Sequence, residues 1–393
     1  MKTFLEMSTE LQDKLTATRR DFHQHPELSW QEHRTTQKIK ERLESLGIEI
    51  IPWGGETGVI GLLKGAEDGP VVALRADIDA LPIQEETGDS FASVNDGVMH
   101  ACGHDIHTTV MLGAAELLAA RRNELKGSVK FIFQPAEEHV NGAFEMMKAH
   151  VLENPHVDAV FGIHNNPALR AGEIGLKDGP IMAACDTLFL TVEGKGGHGG
   201  IPDACIDPVI ATASILMDIQ TIISRRVTPL EPAVITWGSI HGGEANNVIP
   251  ERVELKGTVR SLSTSMQDKL EEELNRVIQN TAASYGAKAT FVYRKDLPVV
   301  NNDPTLAEWL KGPLGKVFGD GVIRPIPNMG AEDFAFYMEN TPGVFLWLGV
   351  GNPEKGINKP WHSAKFQMDE SALSIGAAGF AQLAFDYVNE YKK

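Results

Sequence analysis

The loop MHACGHDIH (residues 99–107) places Cys102, His104, Asp105 and His107 close together in the chain. Thiolate, imidazole and carboxylate are together what a borderline-soft divalent metal binds. Three other segments carry groups of the same kind. VVALR leads into Asp77 and Asp79, FIFQP leads to Glu137 and Glu138, and AVFGI runs into His164. Each follows a short, wholly apolar run that reads as a strand buried on both faces. In open parallel sheets ligands bind beyond the carboxyl ends of the strands, so these groups should converge on one edge. Cys102 and His104, joined by Glu138 and His164, therefore predict a metal site. The adjacent Glu137 and Glu138 repel unless something positive stabilises them. A metal ion would divide their roles, one binding the ion and the other left as a base.

Other candidates carry less. His23 and His25 stand near a helix end beside Pro26 and read as structural. His100 and His107 flank the loop as supporting groups or helix caps. EGKGGHGG contains Gly194-x-Gly196-x-x-Gly199, the dinucleotide fingerprint. Pro202 and Asp203 stand where the phosphate-binding helix should begin, and no Gly-Lys-Ser/Thr is present. A tight turn presenting His198 on flexible backbone is the better reading.

The elements that must position these residues show two textures. Apolar runs at 58–63, 71–77, 128–135 and 158–165, with a helical stretch from Thr108 to Arg122, predict an α/β domain with a mostly parallel or mixed sheet flanked by helices. A further helical stretch covers Ser8 to Leu46, interrupted at 23–29. From about Cys185 the strands alternate, and strands at 187–194, 233–240, 252–261 and 289–296 enclose helices near 207–224 and 265–285. The order β-α-β-β-α-β makes a ferredoxin-like α+β unit. VFLWLG (344–349) then resumes the buried style. The reading is one α/β domain over 1–185 and 297–393, with a smaller domain of 186–296 inserted.

The 393 residues include 36 Lys plus Arg against 53 Asp plus Glu, a formal charge of −17. That balance argues against nucleic acid or an anionic membrane as partner. With 42% hydrophobic and 23% charged residues the chain has an ordinary globular composition. Three cysteines, Cys102, Cys185 and Cys205, are too few for a disulfide scaffold. The segment MKTFLEMSTELQDKL has acids where a signal peptide needs an apolar stretch, and no apolar run reaches 18 residues. These features lead to an expected cytoplasmic location.

The motifs MHACGHDIHT, QPAEE, GIHN, GKGGHGGIPD, NNVIPE, MGAEDFAFY, PGVFLWLG and WHSAKF occur in this order over nearly the whole chain. In this the chain resembles metal-dependent amidohydrolases of the hippurate hydrolase, N-acyl-amino-acid deacetylase and auxin-conjugate hydrolase branch, relatives of aminoacylase and of dinuclear-zinc carboxypeptidases. The resemblance implies an amidohydrolase acting on small-molecule N-acyl-L-amino acids, or, within the same chemistry, a dipeptidase or carboxypeptidase. It implies two divalent ions, zinc or manganese ahead of cobalt or nickel, held by Cys102, His104, Glu138, His164 and His362, with Cys102 bridging. It makes Glu137 the general base, Asp79 the group that orients a metal-bound imidazole, and His198 the oxyanion donor. Asn247 and Arg260 fall on substrate-contacting positions, and the inserted domain becomes a lid through which a homodimer forms. Asp77 stands where the carboxypeptidase relatives carry a His ligand. Two departures are HVNGA after the paired acids, where relatives often have a Gly-rich stretch, and GGIPD, where many carry His after the Pro.

Overall fold

The computed structural model of the chain describes residues 2–391. These fall into two compact units. One comprises the residues up to Gly179, Asn301–Ile326 and those from Asp333 onward; the other comprises Pro180–Val300 and Pro327–Glu332.

The first unit is built on an eight-stranded mixed sheet. Its centre is four parallel strands in the spatial order Lys126–Gln134, Glu67–Asp77, Ala159–Arg170, Gly343–Gly351. Val59–Lys64 adds antiparallel beside Lys126–Gln134 and pairs in turn with Glu49–Ile51, while two short strands extend the other side. Leu74, Phe131, Phe133, Phe161 and Leu346 are fully buried, which is why these strands read as continuous apolar runs. Each such side chain contributes roughly 1.5–3 kcal/mol by leaving water. The helices His104–Ala120 and Ala372–Glu390 pack on each other and on Glu67–Asp77.

The helix expected from Thr108 starts instead at His104. His104–His107 read as loop because three of the four are polar, yet all four are buried. Their polar atoms meet Asp77, Asp79 and other distant side chains, so the first turn can sit inside the protein. The strand expected over 158–165 runs on to Arg170, with His164 opposite Trp347 and Asn165 opposite Leu348 on Gly343–Gly351.

The second unit has a four-stranded antiparallel sheet in the order Ala233–His241, Arg252–Ser261, Ala184–Glu193, Lys288–Leu297. The helices Pro208–Arg225 and Thr264–Ser284 bury Ile215, Ile219, Ile222, Leu270, Leu274 and Ile278 against Leu188, Leu190, Val253 and Leu255. Chain order and strand order are those of a ferredoxin-like unit. Against the sequence reading of 186–296, the unit starts earlier and takes up Pro327–Glu332. There the Asn328 N–H donates to the Ile181 carbonyl and the Ala183 N–H to the Gly330 carbonyl, both at 2.9 Å. Such extended-backbone pairing leaves no apolar pattern to read.

One buried charge ties the central strands of the first unit. Arg75, fully buried, donates from Nη1 to Asp77 (2.9 Å), from Nη2 to Asp333 (2.9 Å) and from Nε to Gln134 (2.8 Å). Removing one partner from such a network leaves an uncompensated buried charge. Arg75→Met is therefore expected to lower stability by roughly 3–5 kcal/mol, measured as a fall in the denaturant midpoint. A change below about 1 kcal/mol would show that Asp77 and Asp333 do not depend on Arg75.

Candidate metal centre

The carboxyl ends of the central strands of the first unit gather the expected groups. Ligand atoms of Cys102, His104 and His164 lie within 4.8 Å of one another, as do those of Cys102, Glu138 and His362, and those of His104, Glu137 and Glu138. Cys102 Sγ is common to the first two groupings. It lies 3.4 Å from His164 Nε2, and Glu138 Oε1 lies 3.6 Å from His362 Nε2 and 3.9 Å from His104 Nε2. Glu137 Oε2 is 3.9 Å from His104 Nε2.

Hydrogen bonds determine which ring nitrogens face inward. His104 Nδ1 bonds Asp79 Oδ1 at 3.1 Å, which turns Nε2 toward Cys102 and the acids. The other oxygen of Asp79 accepts from Ser29 Oγ (2.7 Å) and from the Glu138 N–H (3.0 Å), so one carboxylate orients both an imidazole and the acid-bearing loop. His164 donates from Nδ1 to the Asn165 carbonyl (2.7 Å), leaving Nε2 for the cavity. Burial holds His164 well below the usual imidazole pKa, so the ring is neutral. Trp347 and Trp361 flank it with ring centroids 5.5 and 5.3 Å away.

Asp77, His104 and His107 also lie close enough for an ion. The Asp77 and His107 atoms are already engaged. Asp77 accepts from Arg75 and from His107 Nδ1 (2.5 Å), and His107 Nε2 accepts from the Asn165 N–H (2.7 Å). This group therefore forms a support behind the cavity. His23 and His25 are also structural: His23 is buried between Asp105 and Glu85, and His25 Nδ1 bonds the Asp21 carbonyl. His100 is buried, and burial lowers its pKa to about 4.

The groupings that share Cys102 and His104 suit divalent cations by their own chemistry. His104 Nε2 and Glu138 Oε1 are buried and have no hydrogen-bond partner. Such atoms cost about 1–3 kcal/mol each unless something satisfies them. One sulfur, three imidazoles and adjacent carboxylates would satisfy two borderline ions, with the thiol between them.

His198, Asn247 and Arg260 belong to the second unit. His198 pairs with Val248 in a short antiparallel ladder, and the Asn247 carbonyl accepts the Gly199 N–H at 2.9 Å, so these two are neighbours. The Gly200 N–H donates to His198 Nδ1 at 3.0 Å, which puts the ring proton on the exposed Nε2. Arg260 lies half-buried in the main sheet opposite Cys185. Sequence reasoning passes over Ser29, Glu32 and Asn165. Glu32 is fully buried and accepts the N–H of Ala136, whose φ of 54° turns the chain just before Glu137. Partners so far apart in the chain leave no local pattern.

Without a cation the site holds protons. Burial and the nearby Glu138, Glu137 and Asp77 push the Cys102 thiol well above its ordinary pKa. Burial opposes charge on His104, but Asp77, Asp79 and Glu138 outweigh it and raise its pKa to about 10. Ligation needs thiolate and neutral imidazole, so at neutral pH cation binding must expel protons and tighten as pH rises. Calorimetric titration of zinc into metal-free protein, repeated in buffers of different ionisation enthalpy, should show net proton release. Uptake without proton release would mean that Cys102 and His104 are not ligands.

Comparison with known proteins agrees with this chemistry. The model of peptidase family M20/M25/M40 matches residues 73–386. N-acetylcysteine deacetylase of Bacillus subtilis (strain 168) is 46% identical over 372 residues, covering 94% of this chain and 96% of that protein. Thermostable carboxypeptidase 1 of Saccharolobus solfataricus is 38% identical, with 97% of each chain covered. The crystal structure of the Bacillus subtilis YXEP protein, described as a dinuclear metal-binding peptidase of the M20 family, superposes with a TM-score of 0.86. It is 41% identical and covers 97% of this chain and 99% of that one. A chain with this match and this donor set is a metal-dependent amide hydrolase with a two-metal site, and it belongs to peptidase family M20/M25/M40.

Proposed function

We propose that the protein hydrolyses the amide bond of N-acyl-L-amino acids, releasing a carboxylic acid and a free amino acid. The observation that carries this reading is the single thiol shared by two ligand groupings, with a second glutamate beside them. In this reading Cys102, His104, Glu138, His164 and His362 hold the two cations, and Asp79 keeps the His104 Nε2 turned toward them. Two bound divalent ions supply Lewis acidity, polarising a carbonyl oxygen and acidifying water.

Glu137 then does the proton work. Its carboxylate takes a proton from the attacking water as the new C–O bond forms, and returns it to the departing nitrogen as the amide C–N bond then breaks. His198 donates from Nε2–H to the oxygen on which charge develops, from its own chain or across a dimer. Asn247 and Arg260 bind the carboxylate of the amino-acid half. The 46%-identical relative bears the name of a deacetylase acting on N-acetylcysteine, which supports a small acylated amino acid as substrate. The 38%-identical carboxypeptidase favours a second reading, a dipeptidase or carboxypeptidase using the same groups.

We further infer a homodimer formed through the second unit. Val209, Ile210 and Met217 on the helix Pro208–Arg225, and Val234 and Ile240 on the edge strand Ala233–His241, are exposed apolar residues, Met217 to 71%. Exposed apolar side chains on that helix and along an open strand edge invite a second copy. The free cysteines Cys102, Cys185 and Cys205 support a reducing, cytoplasmic setting. Among the described residues no helix is long and apolar enough to cross a membrane.

Amine release from a panel of acetyl- and benzoyl-amino acids and dipeptides, with and without chelator, tests the substrate class. Chelator-sensitive turnover of the acylated amino acids is expected; turnover of dipeptides alone would install the second reading. Glu137→Gln should retain both cations and lose about 10²–10⁴-fold in kcat. Loss of a cation instead would exchange the roles of Glu137 and Glu138. His198→Ala should lower kcat by about 10²–10³-fold with metal content unchanged, and full activity would remove His198 from the mechanism.

A further inference from the structure

Three of the ligand segments meet at one buried residue that takes no part in binding or chemistry, two of them at its side chain and the third, through His164, at its backbone carbonyl. Asn165 is fully buried. Its Nδ2 donates to the Cys102 carbonyl at 2.6 Å and lies 2.9 Å from His107 Nε2, and its Oδ1 accepts the Trp361 Nε1–H at 3.1 Å. Its backbone carbonyl accepts from His164 Nδ1 and its backbone N–H donates to His107 Nε2, both at 2.7 Å. Cys102 and His164 are thus gripped directly, and His362 through its neighbour Trp361.

The amide can face only one way. Trp361 Nε1 is a donor alone and the Cys102 carbonyl an acceptor alone, so a flipped amide would set N–H against N–H and oxygen against oxygen. His107 cannot adapt either, because its Nδ1 is committed to Asp77, itself held by Arg75. Space is equally restricted. A Cβ on Gly103, whose φ is +86°, would lie 2.5 Å from Asn165 Nδ2. Glycine at this position therefore serves both the backbone turn and the approach of the amide.

We propose that Asn165 is the positioning residue of the metal centre, setting where Cys102, His164 and His362 stand relative to one another. The inference rests on the ligand assignment proposed above. Cys102 and His164 are both buried, whereas His362 is exposed, in a left-handed conformation with φ 62°, and held by its N–H to the Ala101 carbonyl (2.9 Å) and by its link to Trp361. Loss of Asn165 geometry should therefore weaken chiefly the cation bound between Cys102 and His362. Supporting hydrogen bonds of this kind are typically worth about 10–100-fold in metal affinity.

The isosteric Asn165→Asp separates hydrogen bonding from packing, because it keeps the volume and the acceptor for Trp361 while turning the donors toward Cys102 and His107 into acceptors. Cobalt(II) titration of metal-free protein, followed by calorimetry and by the thiolate-to-cobalt charge-transfer absorption, gives a readout independent of activity. The expected result is a folded variant whose weaker cobalt site loses about 10–100-fold in affinity with an altered charge-transfer band. A folded variant with wild-type affinity and spectrum overturns the proposal. If circular dichroism shows Asn165→Asp unfolded, Trp361→Phe, which removes only the Nε1–H, decides by the same two criteria. Wild-type protein that fails to bind two cobalt ions would instead sink the ligand assignment itself.

Discussion

A thiol and two adjacent carboxylates cannot be crowded into a protein interior unless positive charge joins them. Cys102, Glu137 and Glu138 are such a group, with Asp77 and Asp79 close behind, and much of the first unit serves to hold them together. Without a cation the site compensates by retaining protons, on the Cys102 thiol and on His104. Divalent ions replace those protons with fixed charge and engage the ring and carboxylate atoms that hydrogen bonding leaves unsatisfied. Folding, proton inventory and hydrolytic chemistry are thus tied to one electrostatic condition.

The scaffold meets that condition by assigning a support to each group. Asp79 turns His104 and anchors Glu138; the Asn165 carbonyl turns His164; Glu32 holds the bend at Ala136 that precedes Glu137. Behind these, Arg75 balances Asp77 and Asp333 and so keeps the parallel strand ends together. The supports come from the strand ends, the first turn of the helix His104–Ala120 and the segment before His33, and the supporting side chains Ser29, Glu32, Asp79 and Asn165 are themselves buried. A hydrolytic site needs ligands held within a few tenths of an ångström, and rigid elements hold them better than free loops.

Much of this was readable from residue order. Wholly apolar runs ending in Asp77, Glu137–Glu138 and His164 give parallel strands whose ends carry polar groups, and the alternation after Cys185 gives the antiparallel sheet. What the chain hides is the part carried by long-range contacts. His104–His107 look like loop because nothing nearby in sequence satisfies them, yet Asp77 and Asp79 do so from another strand. Pro327–Glu332 joins the second unit through backbone pairing with Ile181–Ala183, which no side-chain pattern records. Asn165 and Glu32 act through partners about a hundred or more residues away in some cases, so neither stands out locally. His362 is legible through the family resemblance alone, since an exposed histidine after a tryptophan has no distinguishing spacing.

Anomalous diffraction from crystals of zinc-loaded protein would test the two-cation account most directly. It should show two peaks about 3.5–4 Å apart, as in other paired-metal sites, with Cys102 Sγ in contact with both. A single peak, or a pair from which the Cys102 sulfur is absent, would contradict it.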